Sequence, residues 1–281
     1  MKLTPFSISH LACDAHMHIF APPDAAVNTL PQSSCGVGNY QMLQTQLKTQ
    51  RAVVVQPRFY GFDNTVTLAA IQSLGLANTR GIAVLPPDVS ITELLSLHTQ
   101  GIRGVRFTLY TPKNAVVNFD MLEPIAHKIH AVHGQAWHLQ LHWTADQIVA
   151  HADLLLRLPI PIVFDHLGRM PVSDFKSHAA FGIINNLMQA ERAWLKLSGA
   201  YLCSRQGLPY ADTGDLARSW LSAAPHRLVW GSDWPHITEV HKPKAQQPNA
   251  GELLTLFHDW TGSDTLSHTI LVDNPVSLYG F

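Results

Sequence analysis

The stretch Leu11-Ala-Cys-Asp14-Ala-His16-Met-His18 is the first of a series of short apolar runs that end in polar, titratable residues. As a β-strand it places Asp14, His16 and His18 on one face, because side chains alternate along a strand with a period of two. Two imidazoles at positions i and i+2 of a strand can converge on one metal ion or one oxyanion. A core histidine beside a surface histidine is the alternative interpretation. The later runs also end in polar, titratable residues, and this recurrence favours a functional role for the two histidines.

Seven further runs have strand-like character, and several are rich in Val, Ile and Leu, as strands buried on both faces are. The eight predicted strands are Leu11–His18, Arg51–Pro57, Gly81–Pro86, Gly104–Tyr110, Ala136–Trp143, Pro161–Gly168, Trp194–Gly199 and Arg227–Trp234. The spacers predict helices over Thr65–Leu74, Ser90–His98, Met121–Val132, Thr144–Leu156, Phe181–Ala193, Thr213–Ala223 and Ala250–Trp260. Ala21–Asn39 and Val240–Asn249 are rich in Pro, Gly, Ser, Asn and Gln, which predicts irregular segments near the mouth of the fold.

Two of the predicted helices have recognisable starts. Asn64 is a candidate cap for the helix that begins at Thr65. Ser90, with Glu93 three residues later, matches the pattern of a capping box. These caps support the alternation of strands and helices.

Eight strands that alternate with helices predict an α/β fold, a distorted (β/α)8 TIM barrel. The length of 281 residues suits one such barrel, whose typical size is about 250 residues. An open doubly wound sheet is the competing architecture, but no glycine-rich phosphate-binding loop follows the first strand. We therefore expect a single domain that spans residues 1–281.

Composition and charge narrow the class of partner. Hydrophobic residues make up 46% of the chain and charged residues 14%, which indicates a compact core, and the net charge is −1. Such a balance favours neither nucleic acid nor an acidic membrane surface. No signal peptide or membrane span is recognisable, and the three cysteines are typical of a reducing compartment. We expect a soluble cytoplasmic protein with a small-molecule partner, and a homo-oligomer is compatible with the sequence.

Reactive residues of this barrel class lie at the carboxyl ends of the strands. That rule selects His16 and His18 from the first run, His142 from the fifth, His166 from the sixth and Asp233 from the eighth. In the sixth run the alternation sends adjacent side chains opposite ways. We expect His166 to face the cavity, and its neighbour Asp165 to face the helices or the next strand.

Arg106 interrupts an apolar run, and a buried arginine requires an anionic partner. That partner is either an internal carboxylate, such as Asp14 or Glu123, or the carboxylate of a substrate. Other candidates for substrate binding lie at or just beyond strand ends: Arg58, Tyr110, Lys113, His142 and Arg205. For Lys113 and Arg205, a solvated loop position is the alternative.

Five motifs together resemble the amidohydrolase superfamily. They are Asp14-Ala-His-Met-His18, Phe164-Asp-His-Leu-Gly-Arg169, Lys196-Leu-Ser-Gly199, Trp230-Gly-Ser-Asp-Trp-Pro235 and Asp273-Asn-Pro275 with Leu278-Tyr-Gly280. The chain is most similar to the branch that contains 2-pyrone-4,6-dicarboxylate lactonases and sugar-lactone hydrolases and isomerases. The resemblance runs from Cys13 to Phe281 and implies a distorted (β/α)8 barrel that hydrolyses a carboxylated lactone.

The resemblance also implies roles for particular residues. The motifs of the branch match His16, His18, His166 and Asp233. Because lactone hydrolysis needs a base and oxyanion donors, we hypothesise that Asp233 takes a proton from water while the three histidines donate to the ring carbonyl. Arg106 would bind a substrate carboxylate. Arg205 would correspond to a second such arginine.

Two departures from the branch affect the expected substrate. The chain has Tyr110-Thr-Pro-Lys113 where the pyrone lactonase has a further arginine, and Thr29 where it has a substrate tyrosine. The pyrone dicarboxylate itself is therefore in question, while the lactone class stands.

The resemblance implies that no cofactor or metal is needed, since the lactonase branch is thought to work without one. The alternative is a single divalent ion such as zinc, held by His16, His18, His142 or His166, and Asp233. Two other enzyme functions remain as alternatives: a sugar-acid lactone isomerase, and a metal-dependent amidohydrolase or decarboxylase. A barrel that only binds a small molecule is the non-enzyme alternative.

Overall fold

Eight parallel strands form one sheet in the order of the chain, and this arrangement confirms the predicted barrel. The computed structural model describes residues 9–21 and 35–281. The strands are β1 (Cys13–Met17), β2 (Arg51–Val55), β3 (Thr79–Ala83), β4 (Ile102–Thr108), β5 (His138–His142), β6 (Ile162–Phe164), β7 (Ala193–Leu197) and β8 (Leu228–Trp230).

The barrel closes where β1 meets the residues that follow β8. The amide of His18 donates to the carbonyl of Trp234 at 2.8 Å, and the amide of Asp233 donates to the carbonyl of His16 at 2.8 Å. An isolated parallel bridge joins Met17 to Trp234. The first and last strands are thus joined through residues of the candidate site.

Helices cover the outside of the barrel. They are α1 (Val37–Leu47), α2 (Thr65–Leu74), α3 (Ile91–Thr99), α4 (Leu122–His133), α5 (Ala145–Ala150), α6 (Ala152–Arg157), α7 (Ala179–Gln189), α8 (Ala200–Cys203), α9 (Gly214–Ala223), α10 (Ala250–Thr261), α11 (Asp264–His268) and α12 (Asn274–Tyr279). All seven predicted helices are present, but the one predicted over Thr144–Leu156 is broken at His151 into α5 and α6. Sequence reasoning missed α1, whose first turn lies within the segment predicted to be irregular.

The caps agree with the sequence in one case of two. Ser90 accepts a hydrogen bond from the amide of Glu93 at 3.1 Å and caps α3. Asn64 does not cap α2, because its side chain is bound to both backbone groups of Val84. The side chain of Asp63 accepts from the first amide of α2 instead.

The core has two layers. Outward-facing strand residues such as Phe107 and Leu139 pack under the helices, and both are fully buried. Inside the barrel, a smaller cluster that includes Val53, Ile82 and Tyr279 fills the end opposite the carboxyl ends of the strands. Helix α12 supplies Tyr279 and so closes that end. The polar residues inside the barrel occupy the opposite end, at the carboxyl ends of the strands.

The prediction that Asp14 shares a face with His16 and His18 is wrong. The pairing of β1 with β2 shifts between Asp14 and Met17, so the simple alternation fails in this strand. The Asp14 carboxylate accepts hydrogen bonds from the amide and hydroxyl of Ser232, at 2.8 and 2.6 Å, and from the hydroxyl of Tyr40 of α1 at 3.0 Å. It stabilises the junction of β1, β8 and α1 from outside the barrel.

None of the helices within residues 9–21 and 35–281 has both the length and the apolar character that crossing a membrane requires.

Candidate active site

A cavity of about 790 Å³ opens at the carboxyl ends of the strands, within the size range of small-molecule sites. The residues that line it include His18, Arg106, His142, His166, Tyr201 and Asp233. They come from β4 and β5 and from the segments that follow β1, β6, β7 and β8. Five of these six were predicted as site residues, and Tyr201 was missed.

Asp233 lies at the base of this cavity with its two carboxylate oxygens in different surroundings. Oδ1 is 3.5 Å from Nε2 of His16 and 3.6 Å from Nε2 of His18. Oδ2 accepts a hydrogen bond from the hydroxyl of Tyr201 at 2.6 Å. Burial raises the pKa of Asp233 to about 7, although the Tyr201 hydrogen bond and Arg106 oppose that shift. Asp233 is therefore poised to exchange a proton near neutral pH.

The backbone at Asp233 has a positive φ of 57°, a region that few non-glycine residues adopt. Just before it, Gly231 allows β8 to touch β1, since a Cβ there would lie 2.5 Å from the Cβ of His16. Larger residues at position 231 would push these strands apart. The glycine of the Trp230–Pro235 motif thus sets the distance between His16 and Asp233.

His18 is neutral, and its tautomer follows from its surroundings. Burial, together with Arg106, lowers the pKa of His18 to about 3. Its Nδ1 is 2.7 Å from the carbonyl oxygen of Val55, which can only accept. The proton is therefore on Nδ1, and Nε2 presents a lone pair toward Asp233. With Nε2 unprotonated, His18 is placed to accept a hydrogen bond there, whereas the hypothesis from the sequence has it donate to a carbonyl.

His166 follows β6 in a turn of unusual backbone conformation. His166, Leu167, Gly168 and Arg169 all have φ between 52° and 70°, which costs roughly 1–2 kcal/mol for each non-glycine residue. Nδ1 of His166 lies 3.0 Å from the hydroxyl of Ser198 and 3.9 Å from Oδ2 of Asp233. Burial lowers the pKa of His166 well below its ordinary value. A neutral imidazole is thus held against Asp233.

Asp165 lies inside the barrel, where it is the hub of a buried polar network, and the predicted outward orientation is wrong. Strand β6 ends at Phe164, so the alternation expected for a longer strand does not apply. Oδ2 of Asp165 accepts from Nε and Nη2 of Arg106 at 3.3 and 3.2 Å, and from Nε2 of Gln140 at 3.1 Å. Burial alone would raise the pKa of Asp165, but His16, Arg106 and Lys196 outweigh burial and hold it well below its ordinary value.

This network answers the question left open for Arg106. Its internal partner is Asp165, and neither Asp14 nor Glu123 is used. Arg106 also lines the cavity, so a guanidinium anchored from behind is presented to a ligand. Such anchoring fixes its orientation before a ligand arrives.

Lys196 of β7 is the second buried cation, and sequence reasoning gave it no role. Its Nζ lies 2.8 Å from the carbonyl oxygen of Ala15, 2.8 Å from Oε1 of Gln140 and 3.3 Å from Nδ1 of His16. Burial lowers its pKa to about 8. Lys196 is fully buried beneath the cavity.

The predicted substrate-binding residues divide into two groups. Arg58, Arg106, Tyr110 and His142 line the cavity. Lys113 and Arg205 have exposed side chains and are not among the lining residues. Their exposure agrees with the solvated loop position that was the alternative for both residues. Thr29 lies outside the described residues.

Arg169 is a cationic lining residue that sequence reasoning quoted in a motif without giving it a function. Its guanidinium carbon lies 4.0 Å from the centroid of the Tyr110 ring, and Nη1 donates to the carbonyl of Leu202 at 2.7 Å. Tyr110 in turn stacks on His142 at 5.3 Å. Arg169, Arg58 and Arg106 together give the cavity a cationic side.

His16, His166 and Asp233 form a group that could hold a metal ion, because their donor atoms lie within 4.8 Å of one another. His18 was predicted as a fourth ligand but is not a member of this group. Among the described residues, Nε2 of His16 has no hydrogen-bond partner. The positions of these donors fit a single divalent cation.

The fold and the cluster of strand-end histidines with an aspartate define a barrel hydrolase of the amidohydrolase type. The chain belongs to the amidohydrolase family, whose model matches residues 13–281.

Three relatives act on lactones according to their names. The 4-sulfomuconolactone hydrolase of Rhizobium radiobacter is 33% identical, with 98% of this chain and 92% of the relative covered. The 2-pyrone-4,6-dicarboxylate hydrolase of Comamonas testosteroni is 30% identical, with 98% and 92% covered. The D-galactarolactone isomerase of Agrobacterium fabrum is 26% identical, with 95% and 90% covered.

Solved structures share the fold. The apo structure of an Agrobacterium tumefaciens protein matches with a TM-score of 0.84 at 24% identity, covering 98% of this chain and 97% of the other. An amidohydrolase from Burkholderia multivorans with bound zinc matches with a TM-score of 0.70 at 18% identity, covering 96% and 99%.

Proposed function

We propose that this protein is a lactonase that hydrolyses a cyclic ester carrying an acidic group. The observation that carries the proposal is the position of Asp233, whose Oδ1 lies between His16 and His18 at the base of a cavity with a cationic side. The names of the hydrolase relatives support the same class of reaction.

The reaction begins with water held between two acceptors. A water molecule donates one hydrogen bond to Oδ1 of Asp233 and one to Nε2 of His18, which carries a lone pair. Asp233 removes a proton as the water oxygen bonds to the ring carbonyl carbon. His166, which lines the cavity, faces the oxyanion that forms and stabilises it by hydrogen bonding. His16 is not a lining residue and directs its buried Nε2 at Oδ1 of Asp233. When the ring C–O bond breaks, Asp233 returns the proton to the leaving oxygen, and the product is an open-chain acid.

The arginines select and orient the substrate. Arg106 is anchored by Asp165 and so offers its remaining N–H groups to a carboxylate. Arg58 and Arg169 also line the cavity and are less buried than Arg106. This placement directs the acidic group of the substrate away from Asp233 and the carbonyl toward it.

Asp233→Asn tests the proposal with a panel of carboxylated lactones. The amide cannot accept the proton, so we expect kcat to fall by about 10²–10⁴-fold, while substrate binding remains measurable by calorimetry. Asp146→Asn is the control, since Asp146 has a 94% exposed side chain outside the cavity. Turnover of Asp233→Asn close to that of the wild type would exclude Asp233 as the base.

Isomerisation of a sugar-acid lactone is the second candidate, favoured by the relationship to D-galactarolactone isomerase. A substrate hydroxyl would then replace water as the nucleophile, with the same residues in the same roles. Reaction in ¹⁸O-labelled water distinguishes the two. Hydrolysis introduces the label into the product carboxylate, whereas isomerisation does not.

A divalent ion such as zinc would be held by His16, His166 and Asp233. Such an ion supplies Lewis-acid polarisation of the carbonyl when it is bound. The steps above use only the protein's own donors and acceptors. Whether His16 can serve as a ligand depends on its tautomer, which its buried neighbours control.

A further inference from the structure

Lys196 is the buried charge whose role the proposed mechanism leaves open. An ammonium group has three N–H donors and no acceptor, so every hydrogen bond it makes is one that it donates. Its three nearest partners are the carbonyl of Ala15, Oε1 of Gln140 and Nδ1 of His16, at 2.8, 2.8 and 3.3 Å. Oδ1 of Asp165 is a fourth acceptor but lies farther away, at 3.8 Å, so the three protons match the three nearer partners.

The third contact determines where His16 carries its proton. If Lys196 donates to Nδ1, then Nδ1 has the lone pair and the proton is on Nε2, which faces Asp233 at 3.5 Å. The opposite tautomer would direct an Nδ1 proton toward Oδ1 of Asp165, 3.3 Å away. It would also set that N–H against the ammonium of Lys196, so that two donors would face each other 3.3 Å apart, which the first tautomer avoids.

We propose that Lys196 is a positioning residue that holds His16 in the tautomer protonated on Nε2, which makes His16 a donor directed at Oδ1 of Asp233 and so orients the proposed base. The inference rests on the proposed function for its catalytic meaning. His18 is held the other way by the carbonyl of Val55. The two histidines of the His16-Met-His18 motif are thus one donor and one acceptor. An Nε2 that carries a proton is not free to bind a metal, so Lys196 also opposes ion binding.

The tautomer is measured directly on the wild-type protein. We would label the histidines with ¹⁵N, record long-range ¹⁵N–¹H correlation spectra, and assign His16 by comparison with His16→Gln. The expected result is a protonated Nε2 and an unprotonated Nδ1 for His16, with the reverse pattern for His18. An Nδ1-protonated His16 in the wild type overturns the proposal.

Lys196→Met then tests cause and effect. We expect His16 to shift to the Nδ1-protonated form and zinc affinity measured by calorimetry to rise at least about tenfold. We also expect kcat to fall about 10–100-fold, the scale of one lost hydrogen bond to a charged group, with KM nearly unchanged. The control is Lys128→Met, since Lys128 also donates to two backbone carbonyls but lies away from the cavity. Unchanged zinc affinity in a folded Lys196→Met protein contradicts the proposal.

The spectra and the zinc titration require no turnover. A wild-type protein with the expected tautomers that hydrolyses no lactone would refute the proposed function and leave the role of Lys196 intact. An active protein whose His16 is protonated on Nδ1 would refute the role of Lys196 and leave the proposed function intact.

Discussion

The two carboxylate oxygens of Asp233 have separate tasks. Tyr201 occupies Oδ2 with a short hydrogen bond, so Oδ1 is the oxygen left to face His16 and His18. The hydroxyl therefore orients the proposed base without touching the scissile bond in the proposed reaction. Tyr201 is a positioning residue in this scheme.

Tyr201→Phe should lower kcat with little change in KM, because the base loses its orientation while the arginines still bind the substrate. A hydrogen bond to a charged group contributes roughly 1.5–3 kcal/mol, so we expect a decrease of about 10–100-fold in steady-state assays. Tyr279→Phe is the matched control, since the buried Tyr279 hydroxyl has no hydrogen-bond partner among the described residues. Equal activity of the two variants would remove Tyr201 from the mechanism.

At the scale of single residues, sequence reasoning located the histidines and Asp233 because each directly follows an apolar run. It misplaced Asp165 because the sequence does not fix the end of β6 to within one residue. A shift of one residue moves a side chain to the opposite face of a strand. It overlooked Lys196 because its partners, Ala15 and Gln140, are distant in sequence. Tyr201 was missed because it lies on a short helix.

Among the elements, the turn His166–Arg169 is the most specialised. Four consecutive residues with positive φ turn His166 back toward Asp233 immediately after β6. Gly168 lowers the strain of this turn, because glycine adopts its φ of 70° without a steric penalty. A Cβ at this position would also lie only 2.9 Å from Cδ1 of Ile184. The turn is therefore tightly constrained by its surroundings.

Gly168→Ala should destabilise the protein by about 1–2 kcal/mol, the cost of a left-handed L-residue, and should lower kcat by displacing His166. Gly182→Ala provides the contrast within one neighbouring helix. Gly182 lies in α7 with open space at its Cβ position, so we expect a gain of about 0.5–1 kcal/mol. Urea denaturation measures both, and equal stability of the two variants would contradict the claim of strain.

Most strands and helices could be predicted because their apolar periodicity reflects burial in two layers. Helix α1 was missed because it is polar along much of its length and only Tyr40 and Leu47 are buried. The break between α5 and α6 at His151 has no proline or glycine to mark it. Element boundaries therefore depended on tertiary packing that periodicity does not record.

For the molecule as a whole, the interior of the barrel holds several neutral histidines. His138 is the clearest example, since both ring nitrogens lack a hydrogen-bond partner among the described residues, and burial lowers its pKa to about 3. In an unfolded chain the same group has a pKa of about 6.5. Between these values only the unfolded state binds the proton, so stability is lost as the pH falls from about 6.5 toward 3.

His138→Gln should make the fall in stability on acidification less steep by one proton, about 1.4 kcal/mol per pH unit. The measurement is the free energy of unfolding in urea from pH 7 down to pH 4.5. His127→Gln is the control, because His127 is exposed on α4. An unchanged slope for His138→Gln would show that His138 is protonated alike in both states.

The closure of the barrel has a consequence for how activity arises. His16 lies in the first strand and Asp233 follows the last one, and a hydrogen bond between the backbones of these two residues helps to join the strands. A nascent chain therefore has no reaction centre until the eighth strand has left the ribosome and docked against the first. After dilution from denaturant, turnover should consequently recover later than the helical circular dichroism signal. The time course of turnover therefore reports when the first and last strands come together.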